Sequence, residues 1–179
     1  TGEVIEFITM DVEEFYRLKS TSPFIYEVER WGKLLHLDGA PLAEGARELA
    51  RLAKEYMDSA RRCASEGMSR LALDAGYNAV ELLLKALILL TGKPLPRTHG
   101  GYIHVFAELY VKTGRARANI TRDLMRALEA RNKAKYEPGY TPTTSDWELV
   151  EKLYTELKTL FNKEAQTPTP TQLNPGFKA

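Results

Sequence analysis

The segment AVELLLKALILL, residues 79–90, most limits how this chain folds. It is apolar nearly all round at helical spacing, which is typical of a helix buried among other helices. Its longest apolar run, Leu82–Leu90, contains Lys85 and is about half the length that a transmembrane helix needs. Gly92, followed by two prolines, is a strong C-terminal stop signal. The segment therefore predicts the central helix of a helical domain.

Further helices are predicted where apolar residues recur every three or four positions. The expected spans are about 41–66, 70–91, 102–112, 120–135 and 145–163. Ser69 is the predicted N-cap of the second helix, and Ser145-Asp-Trp-Glu148 is a capping box that predicts the start of the fifth. Short connections favour antiparallel neighbours. The fold class is therefore mainly α, an antiparallel up-down bundle of four to five helices.

The two ends of the chain have a different character. Residues 1–40 predict a small appendage, with a short helix over Asp11–Lys19 and a possible β-hairpin between Phe24 and Leu37. Residues 165–179 contain three prolines and little to bury, which predicts a disordered tail. We expect three parts, namely the appendage, a bundle over 41–164 and the tail.

Composition excludes several classes of protein. A chain of 179 residues with 44% hydrophobic residues and a formal net charge of +1 is typical of a folded domain rather than a disordered one. One cysteine cannot form a disulfide framework, and the acidic start lacks the pattern of a signal peptide. We expect a soluble, cytoplasmic protein without a membrane association. Two glutamines beside 49 charged residues also favour a thermophilic source.

The fourth predicted helix carries the strongest candidate functional residue, Arg131. Its apolar stripe is Ile120, Leu124 and Leu128, and Arg131 follows Leu124 by seven positions, so it points the way the core residues point. A buried guanidinium stays charged and needs an anion, a carboxylate or carbonyl groups. Arg131 is then either a structural residue, snorkelling or paired with an internal glutamate, or a residue that binds an anionic ligand. The other basic residues of this helix are expected to be mostly solvated, namely Arg122, Arg126, Lys133 and Lys135.

A polar stripe marks the second helix, where Asp74, Asn78, Glu81 and Lys85 fall on one side. Two interpretations are open. In the first the stripe is a solvent face on which Glu81 and Lys85 form an i,i+4 pair. In the second it lines a polar cleft shared with Arg131.

The histidines and the cysteine do not predict a metal site. His99 and His104 are five residues apart across a Gly-Gly, which is not a good spacing for ligands on a helix. We expect His99 to anchor its loop by a hydrogen bond and Cys63 to be a packed or surface thiol. No metal and no cofactor are expected.

Three short segments carry a resemblance to a known family. They are Ala75–Leu87 in the second helix, Pro96-Arg-Thr-His in the following loop and Ala130–Pro138 at the end of the fourth helix. Together they resemble the HEPN superfamily over residues 42–164, and they look most like its stand-alone archaeal and thermophile members. The resemblance implies a dimerising bundle whose polar motifs face each other across a cleft. Members of this superfamily include metal-independent RNases, often toxins paired with a small nucleotidyltransferase-type antitoxin, and nucleotide-binding or non-enzymatic proteins.

The RNase motif of that family is an arginine followed, after four to six residues, by a histidine. Arg131 matches the arginine, and Asn132 matches the polar residue that often follows it. No histidine occurs after His104, and Tyr136 stands where the motif histidine would be. A tyrosine, whose ordinary pKa is about 10, is almost fully protonated at neutral pH and is a poor general base.

We therefore expect a HEPN-like domain that binds a nucleotide or RNA in the cleft of a homodimer, with little or no catalysis. Arg131 would hold phosphate and Tyr136 would stack on a base or donate a hydrogen bond. The residues expected at the site are Arg131, Asn132, Lys135, Tyr136, Glu81 and Lys85.

Two other functions are consistent with the sequence. One is a metal-independent endoribonuclease of the toxin–antitoxin type, with Arg131 and Tyr136 as catalytic residues and a nucleotidyltransferase-type partner. The other is a protein interaction module that docks through residues 1–39. Residues 112–136 hold eight basic and two acidic residues, a local patch suited to phosphate unless the acidic N-terminal part covers it.

Overall fold

The computed structural model describes residues 39–166, which form a bundle of five α-helices. The helices are α1 Gly39–Ser65, α2 Ser69–Leu90, α3 His99–Phe106, α4 Ile120–Tyr136 and α5 Thr144–Gln166. α3 continues directly into a π-helical turn, Ala107–Val111. No strand occurs within 39–166, and the prediction of a mainly α bundle is confirmed. The predicted N-terminal helix and hairpin, and the tail from residue 167, lie outside the described residues.

α2 is the centre of the bundle and contacts each of the other four helices. Twelve of its 22 residues are buried, including large side chains such as Tyr77, Leu84 and Leu87. Each large apolar side chain buried in this way contributes about 1.5–3 kcal/mol. The nearly continuous apolar sequence of α2 is therefore explained by neighbours on almost every side.

The turn between α1 and α2 reverses the chain within three residues. Gly67 adopts a φ of 76°, and the amide of Met68 donates to the carbonyl of Cys63 at 2.8 Å, which together close the end of α1. The prediction that Ser69 caps α2 is wrong. Ser69 is the first helical residue, Met68 occupies the cap position, and no side chain bonds there.

Gly76 lets α5 approach the backbone of α2 closely. A Cβ atom at this position would lie 2.8 Å from Cγ1 of Val150 and 3.2 Å from Cζ3 of Trp147. Real Cβ contacts are rarely that short, so the glycine sets the separation of the two helices.

α5 begins one residue before the predicted capping box, and a different pair of residues forms the box. The amide of Thr143 donates to Oδ2 of Asp146 at 2.8 Å, and the amide of Asp146 donates to Oγ1 of Thr143 at 3.3 Å. Ser145 and Glu148 therefore do not form the predicted box. At its other end, α5 extends to Gln166, so the first two residues of the predicted tail are helical.

Asp146 also accepts a hydrogen bond from the hydroxyl of Tyr140 at 2.8 Å. Burial disfavours the charged form of Asp146, but the hydrogen bonds from Thr143 and Tyr140 outweigh this effect and lower the pKa of the carboxyl. Burial and the bond to Asp146 raise the pKa of Tyr140 to about 12. The carboxylate is therefore the stable form at neutral pH.

Arg70, in the first turn of α2, holds the C-terminal end of α4. Its Nη1 donates to the carbonyl of Ala134 at 2.6 Å, and its Nη2 donates to the carbonyls of Glu137 at 2.8 Å and Pro138 at 2.7 Å, and to that of Tyr140. The last carbonyls of a helix lack intrahelical partners and carry partial negative charge. One guanidinium therefore satisfies the end of α4 and the loop that follows it.

Candidate functional site

An open groove of about 650 Å³ runs along one face of α4. The residues that line it are three or four positions apart, as one helix face requires. They are Arg122, Met125, Arg126, Leu128, Glu129, Asn132, Lys133, Tyr136 and Glu137. Tyr136 is 68% exposed and Met125 is about half exposed, so the groove offers apolar surface beside its charges. Two predicted site residues, Asn132 and Tyr136, lie here.

The charges of the groove are unevenly matched. Nζ of Lys133 lies 2.7 Å from Oε1 of Glu129, which pairs those two residues. Arg122 and Arg126 form no ion pair with any residue of the described part of the chain. Two guanidinium groups on neighbouring turns of α4 are therefore available to an anion.

Arg131 does not share this groove. It is buried, and its Nε donates to Oδ1 of Asp74 at 2.6 Å, while its Nη1 donates to Oδ1 of Asn132 at 3.1 Å. One of the two predictions for Arg131 was a structural pair with an internal glutamate. The carboxylate beside it is that of an aspartate, Asp74. Lys135 reaches the second oxygen of the same carboxylate, with its Nζ 3.7 Å from Oδ2. The charge of Arg131 is therefore already balanced.

Glu81 forms a second polar centre further along α2. Its side chain is only 8% exposed, so the first interpretation of the polar stripe, a solvent face, does not hold at Glu81. Oε1 lies 2.9 Å from Nζ of Lys85, as the i,i+4 spacing predicts, and Oε2 accepts from Nδ1 of His99. The prediction that His99 anchors its loop by a hydrogen bond is confirmed. No hydrogen bond or ion pair within 39–166 joins Arg131 to Glu81 or Lys85.

Tyr77 lies between the two polar centres. Its side chain is fully buried, and its hydroxyl has no hydrogen-bond partner among the described residues. Burial raises the pKa of this hydroxyl well above its ordinary value; the charge of Glu81 raises it further, and the charge of Arg131 opposes the rise. Both charges are thus close enough to act on one phenol, although they do not touch each other.

A family model described as "HEPN domain" matches residues 46–164, about two thirds of the chain. The chain belongs to the HEPN domain family. The resemblance carried by the segments around Gly76, His99 and Arg131 is thereby confirmed. A search of curated proteins found no match to the chain. Membership indicates a function related to nucleotides or RNA in general.

In this HEPN domain, many of the basic side chains of residues 112–136 are paired with carboxylates inside or outside that segment. These pairs are Lys112–Glu108 at 2.6 Å, Arg115–Glu164 at 2.7 Å, Arg117–Asp123 at 2.6 Å and Arg117–Glu156 at 2.9 Å. Residues 112–136 carry a net charge of +6, but the basic groups that remain available to a ligand are mainly those of Arg122 and Arg126.

Two further observations concern the described part of the HEPN domain. No helix of residues 39–166 is long and apolar enough to cross a membrane. Within the same residues, no three His, Cys, Asp or Glu side chains are grouped as metal ligands are. Cys63 is a partly buried free thiol, as expected.

From the sequence, Arg122 and Arg126 are expected to be mostly solvated, with no connection to Tyr136. A signal was available, since Arg122, Arg126, Asn132 and Tyr136 are separated by four, six and four positions and fall on one side of a helix. Arg131 is the more conspicuous candidate in the sequence because it points toward the core, on a different side of the helix.

Proposed function

We propose that this HEPN domain binds RNA or a nucleotide along the α4 groove and acts as a homodimer. The observation that carries the proposal is that Arg122 and Arg126, which form no ion pair within residues 39–166, lie in the same groove as the exposed ring of Tyr136. Phosphate and base are the two parts that nucleotides and RNA share. In the groove, the two guanidinium groups complement phosphate and the ring of Tyr136 complements a base.

The chemistry of each residue suits one part of such a ligand. Arginine presents a planar set of donors that matches phosphate oxygens, and an exposed aromatic ring stacks on a base of any sequence. Asn132 lies between Arg126 and Tyr136 along the groove and is placed to hydrogen-bond a base edge or a ribose.

In this proposal Arg131 and Lys135 have a different task from the one that the sequence suggested. Both face Asp74, and a phosphate would have to displace that carboxylate from Arg131. We assign them to the support of α4, so that Asn132 and Tyr136 are held in position. Glu81 and Lys85 likewise form no part of the groove.

The homodimer is proposed because the groove leaves apolar surface uncovered. Met125 and Tyr136 are both exposed at its rim, and Leu128 lies between them. A second copy packed against this face would cover Met125 and convert an open groove into a cleft. Light scattering coupled to size exclusion should give twice the monomer mass, and Met125→Glu should give the monomer mass. A monomeric wild-type protein would remove this part of the proposal.

Binding is tested by the fluorescence anisotropy of a labelled single-stranded RNA of about twelve nucleotides. We expect Arg122→Gln and Arg126→Gln each to weaken binding and to reduce the slope of log affinity against log salt by about one. Arg62→Gln is the matched control, because Arg62 is exposed on α1 and lies outside the groove, and among the described residues its guanidinium bonds only the hydroxyl of Ser59. It should leave both quantities nearly unchanged.

Tyr136 gives a second and independent test. Tyr136→Ala should weaken binding about tenfold, since stacking of a base on an aromatic ring contributes about 1–3 kcal/mol. Tyr136→Phe keeps the ring and should bind nearly as the wild type does. If the RNA does not bind at all, or if Arg62→Gln weakens binding as much as Arg126→Gln does, the groove is not the site.

A further inference from the structure

The α4 groove has two halves of different chemistry. Arg122 and Arg126 lie in the half nearest the start of the helix, Asn132 and Tyr136 lie in the other half, and Glu129 lies between them. This order is symmetric about Glu129. Arg126 and Asn132 are each three positions from it, and Arg122 and Tyr136 are each seven positions from it. The groups that suit phosphate are therefore at one end of the groove, and the groups that suit a base are at the other.

Within one chain the two halves are too far apart for one nucleotide. A helix rises by about 1.5 Å per residue, so the distance from Arg122 to Tyr136 along α4 is about 21 Å. By the same measure Arg126 is about 15 Å from Tyr136. A nucleotide holds its phosphate and its base much closer together than either distance. A single copy thus presents phosphate donors and a stacking ring that one nucleotide does not reach together.

A second copy related by a two-fold axis at Glu129 brings the two halves together. In such a contact both copies use the same surface, and a residue on the axis meets its own equivalent. When the two α4 helices run antiparallel, a residue before Glu129 lies opposite the residue that is equally far after it on the partner. Arg122 then lies beside the partner's Tyr136, and Arg126 lies beside the partner's Asn132.

The charges of the groove are complementary under the same operation. Its lining holds three basic residues, Arg122, Arg126 and Lys133, and two acidic residues, Glu129 and Glu137. Glu129 is 64% exposed, and its Oε1 lies 2.7 Å from Nζ of Lys133 in its own chain. Arg126 is about one helical turn from Glu129, so the antiparallel contact places it near the partner's Glu129 as well. Each carboxylate at the axis is then flanked by two cations, and each copy keeps one cation in excess for a phosphate.

The apolar surface in the middle of the groove suits the same contact. Met125 is 51% exposed and lies four positions before Glu129, opposite the partner's Lys133, whose aliphatic stem covers it. Leu128 is half-buried and adjoins the axis, so it lies close to its own equivalent. Two helices packed within about 20° of antiparallel keep these pairs together along the whole groove.

We propose that the nucleotide sites of this domain are composite, each made of Arg122 and Arg126 from one copy and Asn132 and Tyr136 from its partner. The two copies pack α4 against α4, antiparallel, around a two-fold axis at Glu129. The inference rests on the proposed function, because it takes the RNA ligand and the homodimer from it and assigns each site to two chains. A dimer then has two identical sites, and a monomer has none.

The packing is tested by cross-linking without any ligand. Cys63 is the one cysteine of the chain, so Cys63→Ala provides a background for a single new thiol. Glu129→Cys in this background should form a disulfide-linked dimer on mild oxidation, because the two thiols face each other at the axis. Arg62→Cys is the matched control, since Arg62 is exposed on α1, and it should remain mainly uncross-linked. Cross-linking at 129 that is no faster than at 62 would overturn the packing.

The composite site is tested by mixed dimers that carry two different tags and are purified through both. The ligand is a labelled trinucleotide with a 5′-phosphate, which is short enough to occupy one site. The first mixed dimer joins an Arg122→Gln chain to a Tyr136→Ala chain, so one of its sites combines an intact Arg122 with an intact Tyr136. The second joins a wild-type chain to a chain with both substitutions, so each of its sites lacks one of the two groups.

We expect the first mixed dimer to bind with the wild-type affinity at half the wild-type stoichiometry, and the second to bind about tenfold more weakly. A first mixed dimer that binds no better than its parent variants would overturn this inference. If the second then binds with the wild-type affinity, each site lies within one chain and the proposed function stands.

The length of the ligand separates the remaining outcomes. A wild type that binds the longer RNA of the binding assay but not the trinucleotide would overturn the composite site, which needs only one phosphate and one base close together. The proposed function would still stand in that case. A wild type that binds neither ligand would remove the proposed function and this inference together.

Discussion

Asp74→Asn tests whether Arg131 supports α4 or binds a ligand. The substitution keeps a hydrogen-bond acceptor beside Nε of Arg131 but removes the charge that balances it. Breaking a fully buried ion pair from one side costs about 3–5 kcal/mol. The side chain of Arg131 is 7% exposed and that of Asp74 is 28% exposed, so solvent screens part of the loss. We expect a loss of about 2–3 kcal/mol of stability.

The assay is thermal and urea unfolding followed by circular dichroism. For a chain of this size, 1 kcal/mol shifts the melting temperature by about 2–4 °C, so Asp74→Asn should lower it by roughly 5–10 °C. Lys135→Met is the control on the same carboxylate. Its ammonium is exposed and 3.7 Å away, so the change should cost under about 1 kcal/mol.

The double variant Asp74→Leu with Arg131→Met sharpens the test. Replacing both partners by apolar side chains leaves no unpaired charge and should recover much of the stability that Asp74→Asn loses. The reasoning is refuted if Asp74→Asn unfolds at the wild-type temperature while its RNA affinity changes. Arg131 would then be a ligand residue whose pairing with Asp74 contributes little.

Two other changes follow from the contacts of α5. Gly76→Ala should lower the free energy of unfolding in urea by about 1–2 kcal/mol, since overpacking against Val150 outweighs the gain of up to about 1 kcal/mol in helix propensity. The double variant Gly76→Ala with Val150→Ala should relieve this strain. If it does not, the close approach of the two helices is not the cause. Asp146→Asn should destabilise the domain at neutral pH. Because folding lowers the pKa of Asp146, its contribution is complete above the ordinary aspartate pKa of about 4 and is lost as the pH falls below it. A stability difference between wild type and Asp146→Asn that persists unchanged at pH 2 would contradict this assignment.

The helices were predictable because each carries its own evidence in the sequence. Apolar periodicity gave five spans, and Gly67 and Gly92 ended two of them with positive φ angles of 76° and 74°. The caps were less predictable. Ser145 with Glu148 and Thr143 with Asp146 satisfy the same local rule, and the bond from Tyr140 to Asp146 is among the contacts that distinguish them.

The candidate site was predictable only in part, for a related reason. Periodicity showed that Arg131 points into the bundle, but not that Asp74, 57 residues earlier, would meet it. The basic block looked available because its partners are distant in sequence, as Glu156 is from Arg117. The i,i+4 pair of Glu81 and Lys85 was visible, whereas the burial of that carboxylate depends on the packing of other helices around it.

The hydrogen bonds from Arg70 to the end of α4 have a consequence for local motion. The last turn of a helix ordinarily frays, and its amides then exchange with solvent far faster than those of the core. Here the carbonyls of Ala134, Glu137 and Pro138 are all held by one side chain of α2. The end of α4 is therefore tied to the first turn of α2, and we expect the amides beside Tyr136 to exchange more slowly than those of a free helix end.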